Sequence, residues 1–190
     1  MFHFVTIIIL ILFYAIYVGK MVMQRRKGIQ TDQIARGKKS KVIFVTELIM
    51  KCATYCIVIV EIVSIYLSTT VPCLFLKTVG AILGVVGVVV FGIAVHAMRD
   101  SWRAGIPEND KTELVTTGIF KISRNPAFLA FDLVYLGILF MYFNWILLLF
   151  TIWAIIMLHL QIKQEEKFLL ATFGEDYTKY KKQTRRYFGK

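Results

Sequence analysis

Five apolar runs alternate with polar, mostly basic, segments along the 190-residue chain. They cover residues 4–18, 45–67, 74–95, 128–143 and 145–160. The first is uncharged, the second carries Glu47, Lys51 and Glu61, and the third has no charge after Lys77. A helix rises about 1.5 Å per residue, so roughly 20 residues cross the hydrocarbon core of a bilayer. Each run therefore predicts a transmembrane helix, the last two near the lower limit. Only Asn144 separates runs four and five, which predicts a tight helical hairpin with Tyr142, Phe143 and Trp145 at the far interface, where aromatic rings favour the headgroup depth. Beyond residue 160, Phe168, Leu169, Phe173, Tyr177 and Tyr180 recur at helical spacing among Lys and Glu. That pattern suits an amphipathic helix on the inner surface or folded over the bundle, interrupted at Gly174. The predicted fold class is all-α: a polytopic membrane protein with about five transmembrane helices, the last two a helical hairpin, plus a cytoplasmic C-terminal amphipathic helix.

Composition supports this reading. The chain is 57% hydrophobic with a mean hydropathy of +0.65, too apolar for a soluble domain of its size. Its net charge of +11 raises the question of nucleic acid, which the location of the charge decides. All but Lys51 and Lys77 of the 23 Lys and Arg fall in residues 20–41, 99–124 and 163–190. Five crossings put those segments on one side, and the positive-inside rule makes that side cytoplasmic, with the N-terminus outside. Topology thus accounts for the basicity. No interleaved aromatic and basic motif points to nucleic acid, whereas anionic membrane lipids are natural partners. The positive charges follow the first apolar run instead of preceding it, so a retained anchor is expected in place of a cleaved signal. The basic loop 24–41 is expected to be mobile. Gly80 and Gly84 form a GxxxG spacing, assigned to close helix packing. Cys52, Cys56 and Cys73 show no disulfide or ligand spacing, and no metal is expected.

Candidate chemistry gathers at the basic side. The stretch GIFKISRNPAFLAF, residues 118–131, runs into the fourth apolar segment. Asn125 suits a helix cap and Pro126 the first helical position. A hairpin makes the start of its first arm a neighbour of the end of its second, so residues 125–128 should meet Glu165 and Glu166. With Leu114, Val115 and the turn at residues 118–120, four elements converge. A helix N-terminus offers N–H groups to an anion, while aromatic rings and a carboxylate suit a cation or an amine. S-adenosylmethionine, with a carboxylate, an amine, a sulfonium and an adenine, matches such a site. A phospholipid headgroup matches it as well, and so does simple capping with an ion pair from Arg124 to Glu165 or Glu166. Asp132 lies four residues after Phe128, one turn deeper on the same face. An acid within a membrane helix is a functional candidate, here to orient an acceptor or take its proton. Glu61 and His96 are read as structural.

The order LVTTGIF, RNPAF, a hydrophobic hairpin and QEEKFLLATFGEDYTKY resembles the isoprenylcysteine carboxyl methyltransferase and phospholipid methyltransferase superfamily over roughly residues 102–188. These are integral membrane enzymes that use S-adenosylmethionine. The resemblance implies one membrane-embedded domain over residues 1–190. Three N-terminal helices and the basic loop occupy residues 1–97, and the cofactor-binding core occupies residues 98–190. It also implies cofactor contacts from Leu114, Val115, Phe120 (in place of a usual Tyr), Glu165, and Asn125, Pro126, Ala127 and Phe128 (in place of His-Pro-x-Tyr). Gln161 stands where prenylcysteine enzymes carry a substrate-binding arginine; it and Arg124 are expected on the acceptor side. The Asn and Phe changes remove a titratable ring and two hydroxyls, losses a cofactor site can survive, whereas Gln161 removes the charge best suited to a substrate carboxylate, so a prenylcysteine carboxylate is not expected as acceptor. The expected activity is methyl transfer to a lipophilic acceptor from the bilayer, or to a small one, with Asp132 and Glu166 as candidate proton acceptors. Two alternatives remain open. One is an NADPH-dependent membrane lipid reductase with a similar C-terminal bundle, the other a non-catalytic membrane interaction protein.

Overall fold

The computed structural model describes residues 2–67, 72–106 and 112–189; Lys111 and the first part of its loop lie outside them. The described residues form five α-helices and no strand. They are α1 (Phe2–Arg26), α2 (Lys41–Leu67), α3 (Leu74–Met98), α4 (Pro126–Met141) and α5 (Trp145–Gln183), with single 3-10 turns at Arg99–Ser101 and Gly118–Lys121. This is an all-helical polytopic membrane protein. Helices α1, α2 and α5, and α3 extended through Ser101, are long and apolar enough to cross a membrane.

Helix α4 is shorter, with 16 residues, or about 24 Å at 1.5 Å per residue. Its two ends nonetheless sit at opposite ends of the bundle. At one end Thr6 Oγ1 of α1 meets Met141 Sδ at 3.3 Å, the His3 ring lies 5.2 Å from Tyr142, and Asn144 donates to Ser64 of α2. At the other, Asn125 faces Glu166 of α5. The five helices therefore alternate in direction, four of full length and one short.

The short helix is embedded in protein. Gly80, Gly84 and Gly87 on α3 bring its backbone onto α4: a Cβ at Gly80 would lie 2.5 Å from the Gly137 carbonyl, and one at Gly137 would lie 2.6 Å from that of Gly80. Small residues permit this approach, and lipid supplies no competing packing of that density. Helix α2 packs chiefly on α5, and α1 on α3.

The basic segments share one end, and there the expected mobile loop is tied down. Gln24 of α1 donates to the Trp102 carbonyl, Lys27 pairs with Asp100 at 2.9 Å, and Asp32 pairs with Lys51 at 3.2 Å. Residues 31–33 exchange backbone hydrogen bonds with Ala104. Lys39 reaches the carboxylate of Glu47 at 2.6 Å, with side chains 5% and 0% exposed. The loop's own polar groups hold it, which a count of positive charges does not reveal.

The predicted tail helix is the continuation of α5. It passes Gly174 at φ 51°, a conformation few side chains tolerate, and folds back over the bundle. Tyr177 and Tyr180 bury against Phe120, with Leu114, Val115 and Ile119 around them. Of the two expected placements, this is the one over the bundle.

Candidate functional site

A cavity of about 1030 Å³ opens at the basic end, between the tied-down loop, the 101–106 segment, the start of α4 and the middle of α5, Leu158 to Leu169. Tyr14, Tyr17, Phe91 and Phe131 wall its deeper part, with Trp102 beside them. These rings form one connected cluster, Phe91 lying 5.4 Å from Phe131 and Tyr17 5.3 Å from Trp102.

Leu114, Val115, Phe120, Asn125, Pro126, Ala127, Phe128 and Glu165 all line this cavity, and Arg124 and Gln161 join them. Four separated stretches of sequence, at 114–115, 120, 124–128 and 161–165, thus meet on one surface. Phe120 is fixed there by Tyr180, whose hydroxyl donates to the Phe120 carbonyl at 2.7 Å. Asp132 and Glu166 do not line the cavity. Among the described residues Asp132 Oδ1 is buried and makes no hydrogen bond.

Asn125 departs from the expected role. Pro126 occupies the first helical turn as predicted, but the Asn125 side chain caps no N–H of α4. Its amide instead donates to the Arg186 carbonyl at 3.2 Å and to Glu166 Oε1 at 3.5 Å. The first turn of α4 is left without a side-chain cap at the cavity edge. Arg124 Nη2 binds Glu166 Oε1 at 2.8 Å, while Arg124 Nε is buried with no partner among the described residues.

Glu166 also receives Arg186, through Nε at 3.2 Å to each oxygen and Nη2 at 2.7 Å to Oε2. Hydrogen bonding to this carboxylate pushes the Arg186 guanidinium above its ordinary value, and burial raises the neighbouring Tyr187 phenol. A carboxylate shared by two guanidinium groups is held as an anion and has little basicity to spare. Glu165, one residue earlier, has a different setting: it lines the cavity and takes one hydrogen bond, from Gln161 Nε2 at 3.0 Å. The EE pair thus divides, one acid facing the cavity and the other bracing the turn beside it.

Sequence reasoning passes over Glu47, Lys39 and Arg186. Glu47 is fully buried on α2 and accepts from Ala35 N, Ile106 N and Lys39, with Gln161 Nε2 at 3.5 Å. It joins the loop, the 101–106 segment and α5 behind the cavity wall. Its signal was present as an acid in the first turns of an apolar helix. Arg186 carries no comparable signal within its basic tail. Glu61 is buried in the last two turns of α2, its oxygens unpartnered among the described residues. Cys52 and Cys56 do share a helix face, Sγ to Sγ 3.9 Å.

The family model for phospholipid methyltransferases matches residues 75–176, more than half of the chain. The chain belongs to the phospholipid methyltransferase family. A search of curated proteins finds no match. The matched region begins in α3 and ends on α5 at Asp176, and it contains Leu114, Val115, Phe120, residues 124–128, Gln161 and Glu165. Membership makes the protein a membrane methyltransferase by family, and methyltransferases of this family generally use S-adenosylmethionine. No group of three or more His, Cys, Asp or Glu arranged to hold a metal occurs among the described residues.

Proposed function

We propose that this member of the family transfers a methyl group from S-adenosylmethionine to a lipophilic acceptor, in the cavity at the basic end. One observation carries the reading. Eight residues named for the cofactor by resemblance, drawn from four stretches of the chain, wall a single cavity.

The residues present suit the cofactor's groups. About 1030 Å³ is ample for a ligand of that size. The uncapped start of α4 suits a carboxylate. Arg124, expected on the acceptor side, is here assigned to the same carboxylate, because it stands one residue before Asn125 and its Nε is unpartnered among the described residues. Glu165 suits the ammonium, and the rings of Phe120 and Phe128 suit the adenine or the sulfonium. When bound, the cofactor supplies a methyl group on a sulfonium, open to in-line displacement. The chain's contribution is alignment and the exclusion of water, and alignment is worth up to about 7–11 kcal/mol in favourable cases. The aromatic walls at Phe91 and Phe131 receive the acceptor's apolar part. Of the two expected proton acceptors, Glu166 is committed to two arginines. Asp132 lies outside the cavity lining, one turn beyond Phe128 and next to Phe131, so it would take the acceptor's proton only through a relay from the cavity. Replacing Asp132 with Asn should lower turnover at unchanged cofactor affinity; equal turnover would remove Asp132 from the reaction.

The basic end faces the cytoplasm in this reading, since its Lys and Arg resist translocation. The decisive test is calorimetric titration of detergent-purified protein with S-adenosylmethionine, with NADPH in parallel. Micromolar-range binding that Glu165→Ala abolishes supports the reading. Binding of NADPH alone would replace it with a reductase.

A further inference from the structure

Residues 184–189, outside the region matched by the family model, run along the turn that precedes α4. Arg124 N donates to the Arg185 carbonyl at 3.1 Å, and Gly189 N donates to the Ile122 carbonyl at 3.0 Å. Ser123 Oγ and the Asn125 amide both reach the Arg186 carbonyl, at 3.3 and 3.2 Å. The Arg186 side chain meanwhile makes three hydrogen bonds to Glu166, the carboxylate that also holds Arg124 and Asn125. Backbone and side chain of one residue therefore grip the same turn from two directions. Arg186 itself does not line the cavity, whereas Arg124 and Asn125 do.

We propose that Arg186 is a positioning residue for the cavity. It fixes the orientation of the Arg124 guanidinium and the Asn125 side chain through the shared Glu166 carboxylate. The chemistry requires an arginine. Glu166 sits between two cations, and a planar fork can bridge both of its oxygens while leaving Oε1 open to Arg124. A lysine would supply charge at a single point. Without the Arg186 side chain, Glu166 is free to shift toward Arg124. Arg124 then keeps its Nη1 bond to the Lys181 carbonyl at 3.2 Å, and Asn125 its bond to the backbone carbonyl of residue 186, so both cavity-lining side chains are held less firmly.

This inference rests on the methyltransferase reading for its kinetic form but not for its structural one. Arg124 and Asn125 would hold the cofactor alike in ground and transition states, so their disorder should appear in KM and not in kcat. Arg186→Gln should raise the KM for S-adenosylmethionine about tenfold with kcat within a factor of two or three. Arg186→Lys should recover part of that loss, and added guanidinium ion should recover part of it in Arg186→Gly. Hydrogen exchange of the amides of residues 122–128, measured without ligand, should accelerate in Arg186→Gln while exchange in the centre of α3 stays unchanged. Wild-type exchange and wild-type KM in Arg186→Gln overturn the proposal. Faster exchange of 122–128 in a protein whose wild type binds no S-adenosylmethionine upholds the positioning role and defeats only the methyltransferase reading. Equal acceleration throughout the bundle would make Arg186 a general stabiliser and overturn the proposal.

Discussion

Helices α4 and α5 each begin at an asparagine, and the two do different work. At the far end Asn144 accepts the Leu147 N–H through Oδ1 at 2.8 Å and donates to Ser64 Oγ at 2.8 Å, an N-cap that also ties α5 to α2. At the basic end Asn125 caps nothing, turns away from its own helix, and joins Glu166 and the Arg186 carbonyl. The first helix start is satisfied internally. The second is supported from outside by a tail more than fifty residues later, and its first turn, without a side-chain cap, lines the cavity. A helix start that withholds its cap is available to an anionic ligand. The comparison separates an asparagine that stabilises the fold from one that shapes a site.

The sharpest way to break the contrast is to remove the support at the basic end. Glu166→Gln leaves Arg124, whose side chain is 6% exposed, without its anion. Breaking a buried pair in this way costs about 3–5 kcal/mol, and thermal unfolding in detergent should show a large fall. A small shift would mean that the network is not supporting the turn. Next in size, Gly137→Ala sets a methyl 2.6 Å from the Gly80 carbonyl, where backbone cannot move aside. Overpacking of this kind costs about 1–3 kcal/mol, and it should leave the cofactor constant of the folded fraction unchanged. Asn144→Ala should cost about 1 kcal/mol of stability, the usual value of an N-cap, again without effect on cofactor affinity. Asn125→Ala should do the reverse, weakening cofactor binding severalfold by calorimetry with the smallest change in unfolding of the four. If Asn125→Ala proved as destabilising as Asn144→Ala and bound the cofactor normally, the two helix starts would be equivalent after all.

Much of the architecture was legible in the chain. Apolar runs located the helices because lipid tolerates no unsatisfied backbone, and a single residue between runs four and five required a hairpin. That hairpin was enough to bring residues 125–128 to Glu165 and Glu166. The GxxxG spacing marked the close α3–α4 contact because only small residues allow it. The contacts of loop 24–41 were not legible: the sequence showed a basic, low-complexity segment, whereas Asp32, Lys39 and Gln24 each find a partner that lies outside the loop.

By itself, then, the sequence determined the helices, their alternation, the basic end of the bundle and the residue types gathered there. All of these follow from local periodicity and from the cost of placing charge in lipid. Only the tertiary structure decided which of two adjacent glutamates faces the cavity, which asparagine is a cap, and that Glu47 and Arg186 brace the site from behind. These depend on side chains meeting across separations such as 20, 61 and 114 residues. No local pattern encodes such meetings, because the angle at which a helix presents each side chain is set by everything packed around it.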